Sequence, residues 1–214
     1  MFVLFDLDGT LVDSGPAHRR AAQIAFRDQG ITVDEAGLVR FLVAHDAASA
    51  GMPSDIYLDL WRRMQPLYRR EQEGIAAFPG IVDLIAALPR HGIQAGVVTS
   101  KRRWAVEREL SRLGWAAAFS CVVCREDTGR HKPSPEPILH AMRLLGGRPV
   151  AYVGDAPSDV QAAVAAGLPS IGVAWGWAGA DALRAAGADW VVEEAAAILP
   201  LVREIGRTEL EADA

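Results

Sequence analysis

One pattern constrains this chain more than any other: short apolar runs alternate with stretches of helical spacing. The runs Phe2–Phe5, Ile93–Val98, Cys121–Val123, Val150–Val153, Ser170–Val173 and Trp190–Val192 predict strands, because strands buried on both faces read as unbroken apolar segments. Between them, Ile81–Leu88, Trp104–Leu113, Pro135–Leu145 and Asp159–Ala166 are amphipathic and of helical length. Strand-helix-strand alternation at this spacing predicts an α/β fold, a parallel sheet with helices on both faces. Gly114, Gly146 and Gly167 each follow a helical stretch, as helix-closing glycines do.

The alternation is interrupted once. From Ser14 to about Phe78 the pattern is almost wholly helical, with His18–Gln29, Val33–Val43 and Ser54–Glu73 as predicted helices. Gly30 and Gly51-Met52-Pro53 separate them, and Phe78-Pro79-Gly80 punctuates the return. A structureless loop of that length is improbable in a compact domain. The expected organisation is therefore a core of residues 1–13 and 79–214 with an inserted helical module at 14–78.

Chemistry gathers at the strand ends. The first run closes on Asp6-Leu7-Asp8-Gly9-Thr10, two carboxylates that share a side if the extended conformation persists. Such a pair is costly unless a cation offsets the repulsion, and a hard divalent ion suits oxygen ligands. An EF-hand does not fit, since Thr10 and Leu11 stand where an acid and a glycine belong. A dinucleotide site does not fit either, because no G-x-G-x-x-G follows. The second run ends in Thr99-Ser100-Lys101 ahead of a helix near Arg102, a combination that binds anions or merely caps the helix. Lys132 lies in the Pro-rich loop Lys132-Pro-Ser-Pro-Glu-Pro137, with Pro135 read as a first-turn proline. The fourth run closes on Gly154-Asp155, with Asp159 four residues on. Taken singly, each has an ordinary alternative: a solvated turn acid, a cap, an exposed lysine, a helix-start acid. A parallel sheet brings all four to one edge, beyond the carboxyl ends of its strands, where ligands bind.

Composition removes other classes. With 22 basic and 27 acidic residues the formal net charge is −5, which lacks the basic footprint of a nucleic-acid binder and suits an anionic membrane surface poorly. No apolar stretch approaches the ~20 residues of a membrane span, and no basic leader precedes Phe2-Val3-Leu4-Phe5. A cytoplasmic protein is expected. Cys121 and Cys124 form a C-x-x-C, but in a strand positions three apart face opposite sides. They are expected to be core thiols rather than a redox or zinc pair.

Asp6-Leu7-Asp8-Gly9-Thr10, Thr99, Lys132 and Gly154-Asp155-x-x-x-Asp159 resemble, in order and separation, the four motifs of the haloacid dehalogenase superfamily in its phosphatase branch. The likeness covers almost the whole chain, and residues 14–78 stand where that family carries a helical cap. It implies a Rossmann-like core with an all-helical cap, and a magnesium-dependent phosphohydrolase acting on a small phosphorylated metabolite as a monomer or homodimer. By the same resemblance, Asp6 is the nucleophile that forms an aspartyl-phosphate. Asp8 protonates the leaving oxygen and then takes a proton from water. Magnesium is held by the Asp6 carboxylate, the Asp8 backbone carbonyl and Asp155. Thr99, the Ser100 N–H and Lys132 bind the phosphoryl oxygens, and Asp159 supports the metal's waters or orients Lys132. Relatives often carry asparagine where this chain has Ser100, a change that keeps the backbone donor.

The resemblance also bears on subfamily. An acid at position 8 favours an oxygen leaving group over halide, and Thr10 leans toward a phosphatase. The stretches Gly172–Gly176 and Ala188–Val192 resemble phosphoglycolate phosphatases, whereas Gly96–Lys101 and Lys132–Pro137 also resemble bacterial pyrophosphatases. The residues do not separate these two, and they leave a phosphomutase or a non-catalytic phosphometabolite sensor open. Candidate specificity residues are Asp13, Ser14, His18, Arg19, Arg40, His45, Arg62, Arg63, Arg69 and Arg70, for which a solvated basic face is the ordinary alternative. Trp175 and Trp177 either line the cleft or pack against neighbours.

Overall fold

The computed structural model describes residues 1–44 and 47–212. The strands are β1 (Phe2–Phe5), the two-residue β2 (Val12–Asp13) and β3 (Ala76–Ala77), β4 (Gln94–Val98), β5 (Phe119–Val123), β6 (Tyr152–Gly154), β7 (Ser170–Val173) and β8 (Trp190–Val192). The helices are α1 (Gly15–Asp28), α2 (Glu35–Val43), α3 (Ala47–Ala50), α4 (Ser54–Glu71), α5 (Ile81–Ala87), α6 (Arg103–Arg112), α7 (Glu136–Leu145), α8 (Pro157–Ala165), α9 (Gly179–Ala185) and α10 (Ile198–Ala212). They group into two compact units, Met1–Asp13 with Ala77–Ala214, and Ser14–Ala76.

In the first unit six parallel strands run in the order β5-β4-β1-β6-β7-β8. From β1 the chain builds outward through β4 and β5, then crosses back to β6 and builds the other way. Because such crossovers are right-handed, reversing direction moves the helices to the opposite face of the sheet. The result is a Rossmann-like, doubly wound α/β core, and ligands in such sheets bind where the order reverses. Here that place is the carboxyl end of β1, with β4 and β6 on either side. The core beneath it includes Leu4, Val98, Val123, Ile138 and Tyr152, all 1% exposed or less.

Several boundaries differ from the expected ones by a residue or two. The strand expected at Val150–Val153 runs Tyr152–Gly154, and Pro135 is the N-cap of α7 with Pro137 in its first turn, rather than a first-turn residue itself. Helices α9 and α10 had no counterpart among the predicted elements. The glycines expected to close helices, Gly114, Gly146 and Gly167, have φ of 72°, 64° and 70°, a region that costs a β-carbon-bearing residue energy. Cys121 and Cys124 are both free and buried, and burial pushes each thiol up to about 11. They are core thiols as expected, although Cys124 follows β5 and opens the next turn rather than lying in the strand.

Gly96, in β4, is there because of what packs over it. A β-carbon would lie 2.6 Å from Cys121 Sγ and 2.7 Å from Leu4 Cδ2. Gly96→Ala is expected to destabilise the protein by about 1–3 kcal/mol, the usual cost of overpacking a core. Thermal melts should show part of that loss recovered when Cys121→Ala is added.

The second unit is helical and has its own small core. Phe41 of α2 meets Phe26 of α1 at 5.1 Å between ring centroids, and Tyr57 and Trp61 of α4 at 5.6 and 5.3 Å. Asp34 caps α2 by accepting the Gly37 N–H at 2.7 Å. Among the described residues no helix is long and apolar enough to cross a membrane.

Candidate active site

Asp6 follows β1 directly, tied to the sheet by its N–H, which donates to the Val153 carbonyl at 2.8 Å. Its side chain is buried and lies with those of Asp155 and Asp159, each offering one oxygen within 4.8 Å of the others. Lys132 Nζ enters this group, 3.0 Å from Asp6 Oδ1 and 2.5 Å from Asp159 Oδ1. It also donates to Tyr152 Oη at 3.1 Å, and Tyr152 in turn donates to the Val98 carbonyl at 2.8 Å. Asp159 Oδ2 accepts the Ala156 N–H at 3.0 Å, so both of its oxygens are occupied, Oδ1 by Lys132. Thus residues 6, 132, 155 and 159, read separately from the sequence, meet at one point.

Asp155 is held from two sides. Thr10 Oγ1 donates to its Oδ1 at 3.2 Å, and the Trp177 N–H donates to its Oδ2 at 2.8 Å. The Trp175 indole N–H reaches the Thr10 carbonyl at 3.1 Å. The tight fit explains two glycines. A β-carbon at Gly9, whose φ is 79°, would sit 2.3 Å from Asp155 Oδ2, and one at Gly176 would sit 2.2 Å from Asp155 Cβ.

Asp8 turns elsewhere. Its Oδ1 accepts a hydrogen bond from Lys101 Nζ at 2.8 Å. Thr99 is buried beyond β4, its N–H donating to the Val123 carbonyl at 2.9 Å and its Oγ1 accepting the Lys101 N–H at 3.2 Å. Ser100 is exposed at the same edge. Neither hydroxyl caps α6, whose N-cap is Arg102.

The electrostatics are those of a strained acid cluster. Burial, reinforced by Asp159 and Asp8 against the pull of Lys132, raises the Asp6 carboxyl to about 7. Burial, with Asp159 and Asp6 close by, pushes the Asp155 carboxyl well above its ordinary value. Burial alone would lower Lys132, but Asp159 and Asp6 hold it well above its ordinary value. One ammonium faces three buried carboxylates, and Asp6 Oδ1, though close to Lys132, lacks an aligned hydrogen bond. An excess of buried negative charge with an unsatisfied oxygen fits a divalent cation with oxygen ligands.

The profile of the haloacid dehalogenase-like hydrolases matches residues 3–173, most of the chain. This chain belongs to that family. It is 30% identical to a phosphoglycolate phosphatase of Salmonella typhimurium, over 92% of this chain and 90% of the relative. It is 32% identical to one from Yersinia pseudotuberculosis, over 94% and 92%. The solved structure of a hydrolase from Pseudomonas syringae superposes with a TM-score of 0.83 at 25% identity, covering 96% of this chain and 99% of that one. A predicted phosphoglycolate phosphatase from Haemophilus somnus has the same fold, with a TM-score of 0.82 at 24% identity over 94% and 96% of the two chains. This hydrolase is accordingly a phosphatase.

The candidate specificity residues are more scattered. Asp13 is exposed and Ser14 buried. The His18 ring packs at a tilt of 37° against Tyr68, 4.3 Å between centroids, with its Nδ1 3.0 Å from the Ser14 carbonyl. Arg19 pairs with Glu35 and Arg63 with Asp59, while Arg40, Arg62, Arg69 and Arg70 are exposed. His45 lies outside the described residues. The reading missed Tyr152, Glu109 and the backbone N–H of Trp177. Glu109 alone left a signal, as an acid beside Val106 and Leu110 on the buried stripe of α6.

Proposed function

We propose that this hydrolase is a magnesium-dependent phosphatase of small phosphorylated metabolites, working through an aspartyl-phosphate, with phosphoglycolate the favoured substrate. The observation that carries the reading is the buried junction of Asp6, Lys132, Asp155 and Asp159 at the end of the central strand. The substrate is taken from the phosphoglycolate phosphatases it resembles over nine-tenths of their length.

Asp6 attacks phosphorus, and the alcohol leaves with a proton from Asp8. Asp8 then takes a proton from the water that attacks the phosphoryl-aspartate, which regenerates Asp6. Lys132 neutralises charge on the transferring oxygens, held on station by Asp159. Thr99 and the Ser100 N–H complete the phosphoryl site. The Asp6 and Asp155 carboxylates and the Asp8 carbonyl would hold magnesium, which would supply charge neutralisation at the transferring group. The unit Ser14–Ala76 acts as the cap that admits substrate and excludes water.

The test is phosphate release from phosphoglycolate, pyrophosphate, sugar phosphates and p-nitrophenyl phosphate, with EDTA and then with excess magnesium. Release is expected to fall to background in EDTA and return with magnesium, with phosphoglycolate giving the highest kcat/KM. Chelator-resistant release would sink the metal assignment, and a preference for pyrophosphate would sink the substrate.

A further inference from the structure

The sheet edge carries a second ionic group that the mechanism above leaves unused. Glu109 is fully buried in the apolar stripe of α6 and pairs with Lys101, whose side chain is 5% exposed. The same Nζ binds Asp8 Oδ1 at 2.8 Å, and the Asp8 side chain is 21% exposed. Lys101 is fixed along its backbone as well. Its N–H donates to Thr99 Oγ1 at 3.2 Å, and its carbonyl accepts the Arg125 N–H at 3.0 Å. A buried acid–lysine pair is a poor way to stabilise a core, since well-packed apolar residues of similar volume do as well or better. The pair's position against Asp8 gives it a purpose that packing does not.

We propose that Lys101, braced by Glu109, is a positioning residue that pins Asp8 Oδ1, so that Asp8 presents Oδ2 to the leaving-group oxygen. The inference rests on the reading of Asp8 as the general acid. With Oδ1 occupied by an ammonium that its buried partner keeps from moving, the proton donated to the departing alcohol is carried on Oδ2. In the second displacement the same oxygen receives the proton from water. Lys101 does not touch the substrate. Its effect is confined to steps in which the leaving oxygen needs a proton.

That confinement makes the idea testable through the leaving group. Phenyl and p-nitrophenyl phosphate are close in size, but nitrophenolate departs readily without a proton and phenolate does not. kcat/KM reports the first displacement, the step in which the leaving group departs. Losing the position of a catalytic group by an ångström costs on the order of 10²-fold. Lys101→Met in the full chain is therefore expected to lower kcat/KM about 10²-fold on phenyl phosphate and much less on p-nitrophenyl phosphate. Because Lys101→Met strands the Glu109 carboxylate, the double variant Lys101→Met/Glu109→Leu keeps the core apolar and should show the same selective loss. Asp8→Ala is the reference. If Asp8→Ala is selective and both Lys101 variants lose activity equally on the two substrates, or lose none, the positioning role is overturned. If Asp8→Ala itself shows no selectivity, the general-acid reading fails, and the inference goes with it.

Discussion

Asp6→Asn is expected to abolish phosphate release and at the same time to raise the melting temperature. The carboxylate and the amide that replaces it are nearly the same shape, so the backbone bond to Val153 and the neighbouring side chains stay in place. What disappears is the nucleophile, and losses on removing one are on the order of 10⁴-fold or more in kcat. The stability gain follows from the acid cluster. Burial raises the Asp6 carboxyl from 3.8 to about 7, so between those values the folded protein holds a proton that the unfolded chain has released. Stability of the metal-free wild type therefore falls as pH rises across that interval, and above it the whole penalty is present. Asparagine carries no such penalty. Melts in EDTA should show the variant ahead at pH 8, with the gap closing toward pH 4. Added magnesium should narrow it by stabilising the wild type through binding. A variant retaining release within tenfold of wild type would remove Asp6 from the nucleophile's role. A gap independent of pH would refute the electrostatic account.

Lys132→Met should be the most destabilising single change at the site. It takes the ammonium from between Asp6 and Asp159 and leaves their carboxylates buried together. Breaking a buried pair by removing one partner costs about 3–5 kcal/mol. For a chain of this size that corresponds to a fall in melting temperature of roughly 6–20 °C. The sign of its pH dependence is also fixed: acidification protonates the stranded carboxylates, so the deficit should shrink as pH falls. Activity is expected to drop by ~10²–10³-fold, the usual loss of a donor aimed at developing charge. Lys132→Arg should not restore it, because a planar guanidinium cannot replace a compact ammonium held on three partners. A Lys132→Met protein as stable as wild type at pH 8 would mean that the cluster is already neutral.

Asp6, Thr99 and Asp155 were legible because each directly follows a strand. In a parallel sheet an apolar run that ends on Asp6, Thr99 or Asp155 tells where the side chain goes, whatever the strand order. The order itself was hidden, since apolar runs carry no mark of which neighbour they pair with. Tyr152 was hidden for another reason: it is part of an apolar run, and only its hydroxyl contacts Lys132 and Val98. The Trp177 contribution is a backbone N–H, which any residue would supply. Glu109 could have been read as a mismatch on an apolar stripe, but its partner Lys101 lies in a loop, outside the helical periodicity. Helix α9 went unpredicted because Gly179–Ala185 is short and Ala-rich with Leu183 as its single large apolar residue, whereas α10 carries Ile198, Val202 and Ile205 at helical spacing and was legible.

The central place of β1 has a consequence for the order in which the protein becomes competent. Asp6 is synthesised long before Lys132, Asp155, Asp159 and Trp177, and one of the two strands that flank β1 belongs to that later part. At cellular rates of roughly 5–20 residues per second, about 6–34 s separate the proposed nucleophile from the groups that surround it. Throughout that interval Asp6 is an ordinary carboxylate, without the neighbours that perturb it in the fold. On the proposed mechanism hydrolysis waits until β6 pairs with β1, so the fold itself times the onset of activity.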